Sequence, residues 1–154
     1  MPSFHRFILI LNRCCTLFRA ERTPDEDLPP HLQTYSLPIC NTPGMSQDQL
    51  AKLRFINKSN VARHLAALEK SGYIERRQND EDRRITNVFP TDKAFEAKTE
   101  LIEGIREWNG YIMGEFSEEE AAIFYDMLSR AADRAASYAG HRFEEEEEKK
   151  EDSR

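Results

Sequence analysis

The chain lacks the patterns by which metal-bound, disulfide-linked and membrane proteins are usually identified. Cys14, Cys15 and Cys40 form no Cys-x-x-Cys pair and are an odd number, which argues against a zinc site or a disulfide framework. The apolar run at residues 7–11 is too short to cross a bilayer, and no small-residue cleavage site follows it. We therefore expect a reducing, cytoplasmic setting, with no export signal and no membrane anchor.

Signatures of catalysis are also missing. The sequence has no glycine-rich phosphate-binding loop, no metal-ligand spacing, and no Ser, His and Asp in an order that suits a hydrolase. The three consecutive carboxylates at residues 118–120 are ordinary for a helix N-terminus, where free N–H groups favour negative charge. We therefore expect neither an enzyme nor a bound cofactor or metal.

Positive charge is scarce overall but concentrated in one segment. The formal net charge of the chain is -6, yet residues 50–90 hold nine Lys or Arg against five Asp or Glu. Residues 144–152 hold two basic and seven acidic residues, so the acidic end hides the positive middle. Because the local field steers a polyanion more than the summed charge does, the acidic average is compatible with nucleic-acid binding.

The N-terminal segment predicts a helix with an unusually apolar face. Apolar residues recur at three- and four-residue spacing from Phe4 to about Arg22. Such a stripe cannot be buried by one helix, so it must pack on its own domain or on a second subunit. Residues 23–30 predict a linker or turn, and residues 31–39 predict a shorter helix that Pro38 ends or kinks.

Two capping patterns predict a helix-turn-helix in the basic segment. Ser46 and Gln49 match the S-x-x-Q capping box and start a short helix that runs to about Leu53. Asn57 is a good N-cap for a second helix, which Gly72 closes as the residue after the C-cap. The two helices are joined by a short turn, which is the layout of the motif.

A hairpin is predicted directly after the second helix. Residues 73–77 and 85–89 are rich in β-branched and aromatic residues, and the polar segment 78–83 between them predicts the tip of a two-stranded hairpin. Two helices followed by a hairpin make the winged form of the helix-turn-helix.

Two more helices are predicted after the hairpin. Thr91 caps a long helix, and Ser117 with Glu120 forms a second capping box for a helix to about Ala139. The run of like charge from Glu144 predicts a disordered tail. The apolar residues predicted to be buried are Phe95, Leu101, Ile105, Trp108 and Ile112 in the first helix and Phe124, Leu128 and Ala131 in the second.

The second helix of the motif has an apolar side and a cationic side. Spacing of 100° per residue groups Val61, Leu65 and Leu68 on the inside and sets Ser59 and Arg63 opposite them. Alanines beside these two let the helix axis approach a groove while longer side chains reach base edges or phosphates. Taken alone, Arg63 is typical of an ordinary solvated helix. The adjoining capped helix, short turn and cationic hairpin favour a DNA-binding surface instead.

The hairpin tip offers a second cationic contact. Asp82 and Arg84 lie two residues apart and can pair, which fixes the shape of the tip and leaves Arg83 or Arg84 to enter a minor groove. Asp80 and Glu81 would repel phosphate, so at most one or two arginines can contact DNA. The alternative is a solvated turn whose charges cancel one another. The candidate DNA contacts are Lys58, Ser59, Asn60, Arg63 and His64 on the helix and Arg83 and Arg84 on the hairpin.

These segments resemble the winged-helix core of the MarR family of transcriptional regulators. The resemblance lies in MSQDQLAKL at residues 45–53 and NKSNVARHLAALEKSGYIERRQNDEDRRI at residues 57–85, above all in LEKSGYIERR and DEDRR. It implies a mainly α fold with a small β-hairpin wing, in which the second helix enters the major groove. It also implies that Arg83 and Arg84 reach the minor groove and that Asp82 braces the wing.

The same resemblance implies how the chain is organised. Residues 1–142 would form one domain, with dimerisation helices at 1–22 and 91–140 and a DNA-binding lobe at 45–90, and the charge run predicts an acidic, disordered tail at 143–154. The expected function is a sequence-specific regulator, a repressor whose homodimer binds a near-palindromic operator in double-stranded DNA. A winged-helix scaffold for protein interactions, with the acidic tail as its partner-binding element, is the alternative from another class.

Two sensing functions follow from the resemblance as further expectations. Many relatives bind a small aromatic effector between the dimer helices and the DNA-binding lobe, for which His31, Tyr35, Trp108 and Tyr111 are candidates. Ordinary packing of these aromatic residues is the alternative. Other relatives sense oxidants through a cysteine of the first helix; Cys14 and Cys15 lie close in sequence to two arginines, although burial as small apolar residues is the simpler description.

Overall fold

Six helices and three short strands make up the part of the chain that the structure, a computed structural model, describes: residues 3–22 and 28–151, with side chains as far as residue 140. In chain order the elements are α1 (Phe4–Arg22), α2 (Pro30–Asn41), β1 (Met45–Ser46), α3 (Gln47–Arg54), α4 (Lys58–Lys70), β2 (Ile74–Gln78), β3 (Thr86–Pro90), α5 (Asp92–Met113) and α6 (Glu118–Glu151). Of the predicted linker, residues 23–27 lie outside the described ranges.

Side-chain caps set the starts of the two central helices, as predicted. The Gln49 N–H donates to Ser46 Oγ at 3.1 Å, and the Ser46 N–H donates to Gln49 Oε1 at 2.8 Å, which completes the capping box of α3. At the start of α4, the Asn60 N–H donates to Asn57 Oδ1 at 2.9 Å. Each cap supplies an acceptor for a backbone donor that has no partner within its helix.

Gly72 ends α4 with a change of backbone hand. Its φ is 75°, and its N–H donates to the Glu69 carbonyl at 3.0 Å while the Tyr73 N–H donates to the Leu68 carbonyl at 2.9 Å. This pair of hydrogen bonds is the Schellman motif, which glycine favours because it has no Cβ. The predicted end of α4 is confirmed, and the motif turns the chain directly into β2.

The inner side of α4 forms the centre of the core. Val61, Leu65 and Leu68 are fully buried, as the helical spacing predicted. They belong to one apolar cluster with Leu50 of α3 and Val88 of β3. Because these three elements share one core, the position of α4 is fixed relative to α3 and the hairpin.

The sheet has one strand more than the sequence predicted. Its order is β1-β3-β2, all antiparallel, and Val88 in the middle strand is opposite both Met45 and Arg76. Gly44, with φ of 86°, donates its N–H to the Val88 carbonyl at 2.8 Å and leads the chain into β1. A two-residue strand has no alternating pattern of its own, so only tertiary pairing shows it.

Helix α2 runs through Pro38, and the prediction that it spans 31–39 is corrected. It starts at Pro30 and continues to Asn41, and the Thr42 N–H donates to the Pro38 carbonyl at 3.0 Å. Proline removes one donor from a helix but keeps its own acceptor. The last turn also contains the buried residue Ile39, whose burial offsets the lost hydrogen bond.

The outer helices leave apolar residues exposed, contrary to the burial predicted for them. Phe95 and Ile105 of α5 are 45% and 41% exposed, and Leu128 of α6 is 39% exposed, whereas Leu101 is buried. Ala131 is exposed as well, and Trp108, Ile112 and Phe124 are only half-buried. No residue of α1 is buried, and neither is any side chain of α6 that the structure describes. The helical spacing was right, but no element among the described residues covers the exposed parts of these faces.

Helix α6 is longer than predicted. It extends to Glu151 instead of about Ala139, and so includes residues 144–151 of the segment for which disorder was predicted. Glutamate and lysine are good helix formers, which gives a backbone reason for the continuation despite the like charges. Residues 152–154 lie outside the described ranges.

Candidate nucleic-acid interface

The outer face of α4 is open to solvent. Ser59, Arg63 and Lys70 are exposed, and Ala66 beside them is exposed too. Their inner counterparts are fully buried, so the helix presents one face to the core and the opposite one to water. The predicted combination of long cationic side chains and small neighbours is therefore present on one accessible surface.

Hydrogen bonds within the first turn of α4 hold its polar side chains in place. Ser59 Oγ donates to Asn57 Oδ1 at 2.9 Å, and the Arg63 Nη2 donates to Asn60 Oδ1 at 3.3 Å. Lys58 Nζ lies 3.0 Å from the Asp48 carboxylate of α3, and both side chains are more than half exposed. An ion pair this exposed is weak, about 0–1 kcal/mol, so it orients Lys58 without sequestering it.

His64 points to α2, a contact that the sequence did not predict. Its Nδ1 lies 2.7 Å from the hydroxyl of Tyr35, and the two rings meet edge to face with centroids 4.8 Å apart. The ring of His31 is 5.6 Å away. Burial, with smaller contributions from Arg63 and His31, lowers the pKa of His64, so the imidazole is neutral near pH 7.

The predicted pair at the wing tip is present. Arg84 donates from Nε and Nη2 to the two carboxylate oxygens of Asp82 at 3.0 and 2.8 Å, and its backbone N–H donates to Asp82 Oδ1 at 3.0 Å. These hydrogen bonds lower the pKa of Asp82 to about 2. Asn79 Oδ1 accepts the N–H groups of Glu81 and Asp82, which tightens the turn further.

The wing and the helix-turn-helix meet across a shallow groove. It has a volume of about 330 Å³ and is lined by residues from α3, the start of α4 and the base of the wing, among them Asp48, Lys58 and Arg84. Arg84 has 90% of its side chain exposed, while Asp82 has 35%. The groove thus brings a helix cation and a wing cation together, which sequence spacing alone does not indicate.

The four aromatic residues considered for an effector site lie in two separate sets of ring contacts. Tyr35 and His31 lie against His64, whereas Trp108 lies near Phe18 and Tyr111, with centroid distances of 5.4 and 6.3 Å. A larger cleft of about 520 Å³ contains none of the four among its described lining residues. Its lining residues are Arg19, Thr34, Leu37, Pro38, Asn41, Thr42, Met45, Leu53, Arg54 and Ile105.

The cysteines are free and differ in exposure. Cys14 is exposed, Cys15 is half-buried, and Cys40 is buried. Arg19, beside Cys15, donates to Gln33 Oε1 at 3.0 Å; burial lowers the pKa of this arginine, and Cys15 acts in the opposite direction. Burial raises the pKa of Cys40, which keeps that thiol protonated.

Two absences hold for the described residues. No group of three or more His, Cys, Asp or Glu side chains there is arranged to hold a metal ion. No helix within those ranges is both long enough and apolar enough to cross a membrane.

Comparisons with known proteins agree on one family. The model of the MarR family matches residues 39–86, from the end of α2 into β3. The HTH-type transcriptional regulator BilQ of Clostridium symbiosum is 27% identical over 131 residues, which cover 83% of this chain and 89% of that protein. The regulator PecS of Dickeya dadantii is 31% identical over 86 residues, 56% of this chain and 52% of its own length.

Solved structures share the fold over nearly the whole chain. A crystal structure of MarR superposes with a TM-score of 0.80 at 28% identity and covers 90% of this chain and 95% of that one. A MarR family regulator of Listeria monocytogenes, crystallised with a 26mer DNA, has a TM-score of 0.84 at 22% identity and covers 94% and 96%. The chain is therefore similar to the MarR family of transcriptional regulators over residues 39–86 and has the winged-helix fold of these solved structures.

Proposed function

We propose that the protein is a repressor whose homodimer binds a near-palindromic operator and leaves it when a small effector binds. The observation that carries the proposal is the solvent-open cationic face of α4 beside an exposed wing arginine. In a two-fold dimer, two such faces would enter successive major grooves about 10 base pairs apart.

Arg63 is the leading candidate for base recognition on α4. Its guanidinium is exposed and donates one long hydrogen bond, 3.3 Å, to Asn60. Exchanging that bond for a bidentate contact with a guanine costs little, because an exposed bond of this length contributes little stability. Lys58, Ser59 and Asn60 belong to the first turn, where they would contact phosphates.

The wing arginines are proposed to contact DNA at the minor groove and at the phosphates beside it. Arg84 is held by Asp82 and yet has 90% of its side chain exposed, so one guanidinium edge is braced and the rest is accessible. Arg83 is exposed, and no hydrogen bond or ion pair among the described residues braces it. We therefore assign the more specific contact to Arg84 and a phosphate contact to Arg83.

Dimerisation is proposed to occur through the apolar faces of α1 and α6. Phe4, Phe7 and Leu9 of α1 are 69%, 52% and 53% exposed, and Ile123 and Met127 of α6 are 54% and 62% exposed. An exposed apolar surface on both end helices indicates an interface, because monomeric soluble proteins rarely expose one. A second copy of the chain is the occupant that the closed two-fold symmetry of most homo-oligomers favours.

The effector is proposed to be a small aromatic acid bound in the 520 Å³ cleft. Leu37, Leu53 and Ile105 supply apolar walls, and Arg19 and Arg54 supply positive charge. Arg19 is already engaged with Gln33 and the Pro30 carbonyl, so Arg54 is the arginine that would bind a carboxylate.

Selection of bound duplexes from a random pool at stated salt tests the proposed function. We expect enrichment of a near-palindrome with half-sites about 10 base pairs apart, bound by two chains. Failure to enrich any sequence would overturn the proposal and favour a protein-interaction scaffold. For the dimer, Phe7→Glu should shift sedimentation toward the monomer, whereas Asn12→Glu, on another side of α1, should not.

The cleft is tested with benzoate as the probe. Millimolar benzoate should weaken operator binding by the parent protein and do so less in Arg54→Gln. An equal response of both proteins would show that benzoate does not act through this cleft.

A further inference from the structure

We propose that Tyr35 is a positioning residue for DNA binding: through its hydrogen bond to His64 it sets the recognition helix α4 against α2. This inference rests on the proposed function, because it assigns a role in operator binding. It gives Tyr35, which the family resemblance offered as a candidate effector contact, a role in supporting the DNA-contacting surface.

The first argument is the place of the Tyr35–His64 contact in the fold. Helix α4 packs mainly on α3 and β2, and α2 packs mainly on α5, β3 and α1. The contact between the Tyr35 hydroxyl and His64 Nδ1, at 2.7 Å, therefore joins two helices that share one apolar core but pack mainly on different elements. Tyr35 is 4% exposed, so its ring is fixed while its hydroxyl reaches the helix that carries Arg63.

The second argument is the chemistry of the pair. Burial raises the pKa of Tyr35 and lowers the pKa of His64, so both groups are neutral near pH 7. In this proposal the phenol O–H is the donor to Nδ1, which leaves the imidazole proton on Nε2. His64 then has one defined donor for a phosphate or a base-edge acceptor, instead of two interchangeable tautomers.

The third argument is the continuity of this pair with the cleft. The guanidinium carbon of Arg54 lies 5.6 Å from the centre of the Tyr35 ring, and Arg54 also lines the cleft. Thr34 and Leu37, which flank Tyr35 on α2, line it as well. Tyr35 thus lies between the cleft and His64, and a ligand that moves Arg54 acts on the residue that positions α4.

A double-mutant cycle on operator affinity tests the inference. Tyr35→Phe keeps the ring and loses the hydroxyl, and we expect binding about fivefold weaker, as for one net hydrogen bond. In a His64→Ala background, the same change should have no further effect, because Tyr35 acts through His64. The matched control is Tyr138→Phe, which removes a hydroxyl from a side chain that is 72% exposed.

Two results would overturn the inference. One is an equal loss from Tyr35→Phe in both backgrounds, which would mean a general structural role; the other is no loss at all. Ring-nitrogen NMR of His64 gives an independent readout. The parent protein should show one tautomer, protonated on Nε2, and the Tyr35→Phe variant should show a mixture of both tautomers. If the parent binds no duplex, the proposed function fails, and the NMR spectra alone decide the role of Tyr35.

Discussion

Replacing Arg63 by alanine tests the DNA-contacting surface most directly. In the free protein its guanidinium donates one long hydrogen bond to Asn60, so the substitution removes little from the fold. In the complex it would remove a base or phosphate anchor, and we expect a loss of about 1–3 kcal/mol, or roughly 5- to 150-fold in affinity. Stability should change by less than about 0.5 kcal/mol, as for most surface substitutions.

The assay is fluorescence anisotropy with the selected operator and with an unrelated duplex, from about 50 to 200 mM salt. The matched control is Arg106→Ala, which removes the same charge from an exposed position on α5, outside the winged-helix lobe. A base contact predicts a larger loss on the operator than on the unrelated duplex. A phosphate contact predicts equal losses and a salt slope smaller by about 0.9. Equal affinities of the Arg63 and Arg106 variants would refute the assignment.

Two further predictions concern the wing and the glycine turns. The pKa of Asp82 is about 2 in the folded protein, below the usual 3.8, so its pairing with Arg84 contributes fully above pH 3.8 and is lost as the pH falls toward 2. NMR titration of the Asp82 carboxyl should show this, and a midpoint near 3.8 would contradict the pairing. Gly72→Ala should cost about 1 kcal/mol, because its φ of 75° disfavours a Cβ that would otherwise meet open space. Gly44→Ala should lower the free energy of unfolding, measured in urea, by more than Gly72→Ala, since its Cβ would also lie 3.2 Å from the Phe89 ring. Equal losses in the two variants would refute the steric argument.

The sequence predicted the helix-turn-helix well because its boundaries are local. The caps at Ser46 and Asn57 act over three residues, and the turn at Gly72 depends on the freedom of one backbone position. The Asp82–Arg84 pair, two residues apart, was predicted for the same reason. The family resemblance added the groove assigned to each element, and those assignments stay predictions that the DNA experiments address.

Predictions that depended on distant partners were less successful. The strand β1 is stabilised by pairing with β3, and Lys58 meets Asp48 across the turn of the motif. The burial predicted on α5 and α6 was confirmed for Leu101 but wrong for most of the other residues, because helical spacing identifies an apolar face but not the surface that covers it. Disorder was predicted for the tail from its charge alone. The high helix propensity of glutamate and lysine instead favours the helical backbone found as far as Glu151.

The sequence by itself determined where the central helices begin and end, which side of α4 faces inward, and that positive charge collects in an otherwise acidic chain. Only the tertiary structure decided that His64 bonds to Tyr35, that Arg84 and Lys58 share a groove, and that the described lining of the cleft contains none of the four aromatic candidates. The physical reason is the range of the forces involved. Caps, turns and helical spacing act within a few residues, whereas these contacts depend on how one shared core orients elements that are far apart in the chain.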